Sequence, residues 1–178
     1  MLPKYKFALR EDLKDNKEFL PTKAEPKATG WDVRSSDDLI IEPFEYVKIR
    51  LGFRAFCPEG WWFELKPRSS SFTKKSLHAL YGTIDETYEG EAIFACQYIP
   101  QLSFKNFEGP MDWGRIPEWW APTKLCSLQI NFGDAIGQII PIKRQEMQVI
   151  EASNAEIEED YKNRDAIRGS GGFGSTGK

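Results

Sequence analysis

The sequence predicts an all-β fold of the sandwich or barrel type. Three observations carry this. Short runs rich in β-branched and aromatic residues recur along the chain, turn signals such as "EPFE", "CPEG" and "NFGD" separate them, and helical signals are weak outside one segment near the C-terminal end. A chain of 178 residues with 40% hydrophobic and 29% charged residues is large enough for a single core and is of ordinary globular composition.

In chain order, residues 5–9 (YKFAL), 39–42 (LIIE), 46–56 (YVKIRLGFRAF), 61–65 (WWFEL), 92–99 (AIFACQYI), 124–132 (KLCSLQINF) and 135–142 (AIGQIIPI) read as strands. Residues 28–36 (ATGWDVRSS) put Gly30 and Asp32 at the start of another. Residues 71–76 suit one short turn. Ser153 and Glu156 make a capping-box pattern, so a short helix is expected near 154–163. Residues 100–123 hold four prolines, three tryptophans and two phenylalanines without clean periodicity. That is too aromatic for a disordered linker, so the segment is expected to be a compact loop, packed on the body or serving as a lid or partner surface. The expected organisation is a β domain over 1–152 and a helix, arm and glycine-rich tail over 153–178.

The bulk properties exclude several functions. A net charge of −3 argues against general nucleic-acid binding. No apolar run approaches the ~18 residues of a membrane span, and "MLPKYKFALREDLKDNK" lacks a signal peptide's apolar stretch. Cys57, Cys96 and Cys126 are an odd, widely spaced set that makes no plausible zinc site with the single His78. Reduced thiols in a cytoplasmic protein are the simplest account. With one histidine, any acid–base chemistry falls to carboxylates.

Five stretches carry candidate chemistry. Residues 28–36 hold Asp32. Residues 66–75 (KPRSSSFTKK) join Arg68 to three serines, including Ser69 and Ser70, a short group suited to phosphate oxygens. Residues 81–91 (YGTIDETYEGE) read as a β-hairpin element bearing Asp85 and Tyr88. Residues 131–140 (NFGDAIGQII) place Asp134 and Gln138 around a tight turn. The chain ends on "RGSGGFGSTGK", 168–178, which reads either as a flexible tail or as a phosphate clasp of backbone N–H groups, Ser175, Thr176 and Arg168.

Together and in this order, the five stretches resemble the five ordered motifs of the homotrimeric dUTPase family, the deoxyuridine triphosphate nucleotidohydrolases. The likeness runs from about residue 28 to 177, and "RGSGGFGSTG" matches the family's last motif almost letter for letter. The resemblance implies a distorted, jelly-roll-like β-barrel whose tail is mobile when empty and closes over bound nucleotide. It implies that Asp85 activates the attacking water and touches the sugar 3′-hydroxyl. Tyr88 would pack under the deoxyribose and leave no room for a 2′-hydroxyl. Arg68, Ser69, Ser70 and Gln138 would contact phosphates, and Gly82 and Ile84 belong to the nucleotide site. Arg168, Ser175 and Thr176 would grip the γ-phosphate, with Gly174 in the same loop, and Phe173 would stack on the base. Asp32 and Asp134 would support this shell.

The implied reaction is water attack on the α-phosphorus of dUTP, giving dUMP and pyrophosphate and supplying dUMP for dTTP synthesis. Mg²⁺ is implied, held mainly by phosphates and water, near Asp32, with no direct protein ligand. The implied assembly is a homotrimer whose sites are shared among subunits.

The sequence also departs from the family pattern. Ala79, Leu80 and Tyr81 stand before Gly82, where many relatives have an asparagine that helps read uracil. Glu89 follows Tyr88 where arginine is usual, and Gly137 replaces a common alanine. Residues 100–123 form an insertion, a feature of some phage members and a candidate surface for a protein partner. Other readings are a dCTP deaminase using a glutamate such as Glu91, a pyrophosphatase for another or modified deoxynucleoside triphosphate, and a dUTPase-fold protein with a regulatory partner.

Overall fold

The computed structural model describes residues 3–100 and 126–164. By its contacts the chain divides into two units, Met1–Arg144 and Gln145–Lys178.

Among its described residues the first unit carries ten strands: β1 Lys6–Leu9, β2 Trp31–Arg34, β3 Leu39–Ile41, β4 Tyr46–Phe56, β5 Trp61–Pro67, β6 Leu77–Ala79, β7 Gly82–Ile84, β8 Glu91–Tyr98, β9 Leu128–Ile130 and β10 Ala135–Lys143. One four-stranded sheet has the order β1-β4-β8-β6, a second has β2-β10-β5-β7, and β3 pairs with β9. Every pairing is antiparallel. Burial alternates along the strands as a half-buried sheet requires: on β8, Ala92, Phe94, Cys96 and Tyr98 point inward while Ile93 and Gln97 are exposed. Phe94 joins Ile49, Leu51 and Phe53 of β4, Phe63 and Leu65 of β5, and Ile136 and Ile139 of β10 in one core. Both four-stranded sheets therefore share that core.

The all-β class expected from the sequence holds. Among the described residues, however, no sheet closes on itself, so the layers remain separate where a barrel was anticipated. Two local expectations also change. The hairpin anticipated over 81–91 does not form. β6 bonds to β8 in one sheet and β7 to β5 in the other, and the chain crosses between sheets at Leu80 and Tyr81. Core burial of both Leu77 and Ile84 drives this, and the Leu80 N–H donates to the Ala95 carbonyl at 2.9 Å. The predicted 124–132 strand is described only as Leu128–Ile130. From residue 101 to 123 the insertion lies outside the described residues, as do 165–178.

A short helix, α1 Ser69–Thr73, turns the chain from β5 toward β6. In the second unit, α2 Asn154–Lys162 begins as its sequence predicts. The Ser153 hydroxyl accepts from the Glu156 N–H, and the Glu156 carboxylate accepts the Ser153 N–H at 2.7 Å. No described helix is long and apolar enough to cross a membrane.

Candidate functional site

Three of the sequence motifs meet where β2, β10, β5 and α1 come together. The register puts Asp32 of β2 and Lys66 of β5 on either side of Gln138 of β10. Directly opposed residues share a face of the sheet, so carboxylate, amide and ammonium form one row. Arg68 follows β5 at the entrance to α1, and its Nε lies 3.4 Å from Asp32 Oδ1. Both side chains are accessible, at 36% for Arg68 and 18% for Asp32, so the guanidinium has donors left for an incoming anion.

Two hydrogen bonds fix this corner. The Ile136 carbonyl accepts the Arg68 N–H at 3.2 Å and the buried Ser71 hydroxyl at 2.6 Å. Ser71 is thus an anchor of α1 on β10, while exposed Ser69 and half-buried Ser70 stand nearer solvent. Gly30 also has a physical reason: a Cβ there would overlap the Gln138 amide, which lies across it. Lys66 is a member of the row that the sequence reading did not single out. Its register opposite Gln138 is visible only once β5 and β10 are paired, and its Nζ rests 3.0 Å from Glu64.

Asp134 takes a structural position. Its carboxylate accepts the Lys75 ammonium at 2.9 Å and the Asn131 N–H at 3.1 Å, closing the turn before β10. Partial burial pushes its pKa up, but these partners outweigh that and hold it below the usual carboxylate value.

Asp85 and Tyr88 lie elsewhere on the same unit. β7 runs antiparallel to β5 with Ile84 opposite Phe63, which carries Asp85 toward the Trp62 end of β5. Arg68 is six residues further along, about 20 Å at ~3.3 Å per residue. Gly82 is half-buried against Leu65, and Ile84 is in the core. Asp85 is exposed, and its carboxylate has no hydrogen-bond or ion-pair partner among the described residues. It lines a cleft of about 250 Å³ with Trp61, Trp62, Glu86 and Arg144. Tyr88 closes the next turn: its N–H donates to the Asp85 carbonyl at 3.1 Å and its hydroxyl to the Glu91 carbonyl at 3.0 Å. Glu91 is engaged, accepting the Gly52 N–H at 2.9 Å and Arg10 at 3.2 Å. Arg168, Phe173, Gly174, Ser175 and Thr176 lie outside the described residues. No group of three or more His, Cys, Asp or Glu side chains among the described residues is arranged to hold a metal ion.

These features define an all-β protein with an anion-suited corner and a separate, accessible carboxylate. The dUTPase family model matches residues 16–97. A deoxyuridine 5′-triphosphate nucleotidohydrolase from Hydrogenobaculum is 30% identical over 172 residues, covering 95% of this chain and 94% of that protein. The chain belongs to the dUTPase family. Among solved structures, a point mutant of the phage 80alpha dUTPase superposes with a TM-score of 0.70 at 22% identity, covering 99% of this chain and 100% of that one. A mutant dUTPase of the S. aureus phage phi11, described with a structural Mg(II) ion, gives 0.63 at 19% identity, covering 85% and 97%. These two similarities bear on the fold.

Proposed function

We propose that this chain hydrolyses dUTP to dUMP and pyrophosphate, at a site completed by more than one copy of the chain. The observation that carries the reading is the corner where Arg68, Asp32 and Gln138 converge, in a member of the dUTPase family. Arg68, Ser69, Ser70 and Gln138 bind the triphosphate, with the guanidinium supplying a forked cation. Asp32 holds Arg68 in place. Asp85 takes a proton from the attacking water, which then reaches the α-phosphorus and expels pyrophosphate. An accessible carboxylate free of protein partners suits that task, because nothing competes for its oxygens. Tyr88 forms the sugar floor, with Gly82 and Ile84 shaping the pocket beside it. The tail groups Arg168, Phe173, Gly174, Ser175 and Thr176 close over base and γ-phosphate. Asp134 supports the turn that sets Gln138.

Mg²⁺ fits as a nucleotide-borne ion, neutralising phosphate charge when bound. No described carboxylate cluster supplies a cage, and Asp32, beside the phosphate corner, is the group nearest to hold its water shell.

The ~20 Å between Asp85 and Arg68 along β5 supports the shared site. A general base must come within hydrogen-bond reach of the water it activates. One chain's Asp85 therefore serves another chain's phosphate corner, as a homotrimer with subunit-shared sites would require. The product dUMP feeds dTTP synthesis, and a cytoplasmic setting fits the buried thiols of Cys57 and Cys96.

The deaminase reading loses its candidate, since the Glu91 carboxylate is already held by Arg10 and a backbone N–H. Incubating the purified protein with dUTP, dCTP, UTP and dTTP plus Mg²⁺, and identifying products, tests the proposal. Pyrophosphate with dUMP, from dUTP in preference to the others, is the expected result. Ammonia release from dCTP, or no turnover, would refute it.

A further inference from the structure

Asp85 poses a positioning problem. Its carboxylate has no partner among the described residues, so its aim depends on the backbone that carries it. On one side that backbone is fixed by Ile84, buried at the end of β7. On the other side the chain leaves the sheet and enters an exposed turn, Asp85 to Tyr88, held inside itself by one hydrogen bond of 3.1 Å.

Glu86 supplies the missing tether. Its Oε2 accepts the Gly60 N–H at 2.7 Å, and its Oε1 takes Arg144 Nη1 at 2.9 Å. Gly60 sits at φ +76° in the turn between β4 and β5, and its carbonyl accepts the Arg144 N–H at 2.8 Å. Glu86, Gly60 and Arg144 therefore form a closed ring of contacts joining the Asp85 turn to the β4–β5 turn and to the end of β10. The Gly60 N–H first, and Arg144 second, hold the Glu86 pKa below the usual carboxylate value. The anionic state, which accepts from the Gly60 N–H and pairs with Arg144 at once, is therefore the favoured one. The Glu86 side chain is 23% exposed, so the ring is partly sheltered.

We infer that Glu86, tethered to Gly60 and Arg144, is a positioning residue that sets the orientation of Asp85 for water activation. This rests on Asp85 being the general base of dUTP hydrolysis. Glu86 need not touch the nucleotide; it removes a freedom that the turn would otherwise keep. A displacement of about 1 Å at a reacting group can cost ~10²-fold in rate, so losing the tether should appear in kcat.

The test compares Glu86→Ala, Glu86→Gln, Arg144→Met and Asp85→Asn with wild type, reading kcat, KM and Tm with dUTP and Mg²⁺. Glu11→Ala, which removes the exposed Lys14 pair, is the ion-pair control and should behave as wild type. Glu86→Ala should lower kcat about 10- to 100-fold with little change in KM. Glu86→Gln should recover most of the loss, because its amide oxygen still accepts the Gly60 N–H. Arg144→Met should lower kcat in the same direction by a smaller factor, and it decides the question if Glu86→Ala fails to fold. Wild-type kcat in the folded Glu86→Ala protein, or a change confined to KM, would overturn the inference. So would wild-type kcat in Arg144→Met where Glu86→Ala cannot be obtained folded. Wild-type turnover by Asp85→Asn would instead overturn the parent reading, so the two failures are distinguishable.

Discussion

Gly137→Ala should destabilise this protein. A Cβ built at Gly137 would lie 3.0 Å from Phe94 Cδ2 and 3.2 Å from the Lys66 carbonyl oxygen. Neither neighbour can yield freely. Phe94 is fully buried among the core strands, and Lys66 is the residue of β5 that faces Gln138 in the ladder. The register of β10 against β2 also shifts between Ala135 and Gly137, so the backbone here is already set by an irregularity. Two effects oppose each other. Replacing glycine in a strand normally gains about 0.5–1 kcal/mol through the unfolded chain. Overpacking a tight core normally costs about 1–3 kcal/mol. With a buried ring and a sheet carbonyl as the obstacles, packing wins, and the net loss should be about 1 kcal/mol. For a chain of this size that is about 2–4 °C in Tm. Thermal unfolding at fixed protein concentration and without nucleotide measures it. The pair Gly137→Ala with Phe94→Leu should be less destabilised than the two single changes predict, with a coupling of about 0.5–3 kcal/mol. A Tm for Gly137→Ala at or above wild type would refute the reasoning, because it would mean that Phe94 is not the reason for the glycine.

Tyr88→Ala should lower the preference for dUTP over UTP, read as the ratio of kcat/KM values, by about tenfold or more; an unchanged ratio would put the sugar filter on another residue. Asp134 should contribute to the acid limb of stability. Its folded pKa is depressed, so its contribution is complete above the ordinary value of about 3.9 and is lost as pH falls through the folded value. Asp134→Asn should therefore be less stable than wild type in urea at neutral pH, with the gap narrowing below about pH 4; an equal gap at pH 7 and in acid would contradict the assignment.

Much of the strand inventory was legible in the sequence because a half-buried strand writes its burial into alternate residues. β8 is the clearest case, with Ala92, Phe94, Cys96 and Tyr98 inward. The helix start at Ser153 was legible for a different reason, since both halves of a capping box lie within four residues. The split of β6 and β7 between two sheets was not legible. It depends on which distant strands, β8 and β5, offer edges to three-residue segments, and local pattern carries no such information. The same limit applies to the candidate site. Arg68 and Asp85 were readable as motif residues, but their separation follows from the β5–β7 register. Lys66 and Glu86 escaped notice because each gains its meaning from a partner far along the chain: Gln138 for the first, Gly60 and Arg144 for the second.

The central claim is that Asp85 of one chain acts on a nucleotide held by Arg68 of another. Co-expression of Asp85→Asn and Arg68→Ala chains under separate affinity tags, followed by isolation of doubly tagged oligomers, tests it most directly. Each parent alone should be nearly inactive. In mixed oligomers some sites draw an intact Arg68 from one chain and an intact Asp85 from another. In a doubly tagged trimer, whichever chain is present twice, about one site in three should be whole, and activity should return to about that fraction of wild type. No chain in the mixture carries both residues intact, so mixed oligomers that stay as inactive as their parents would contradict a site shared between chains.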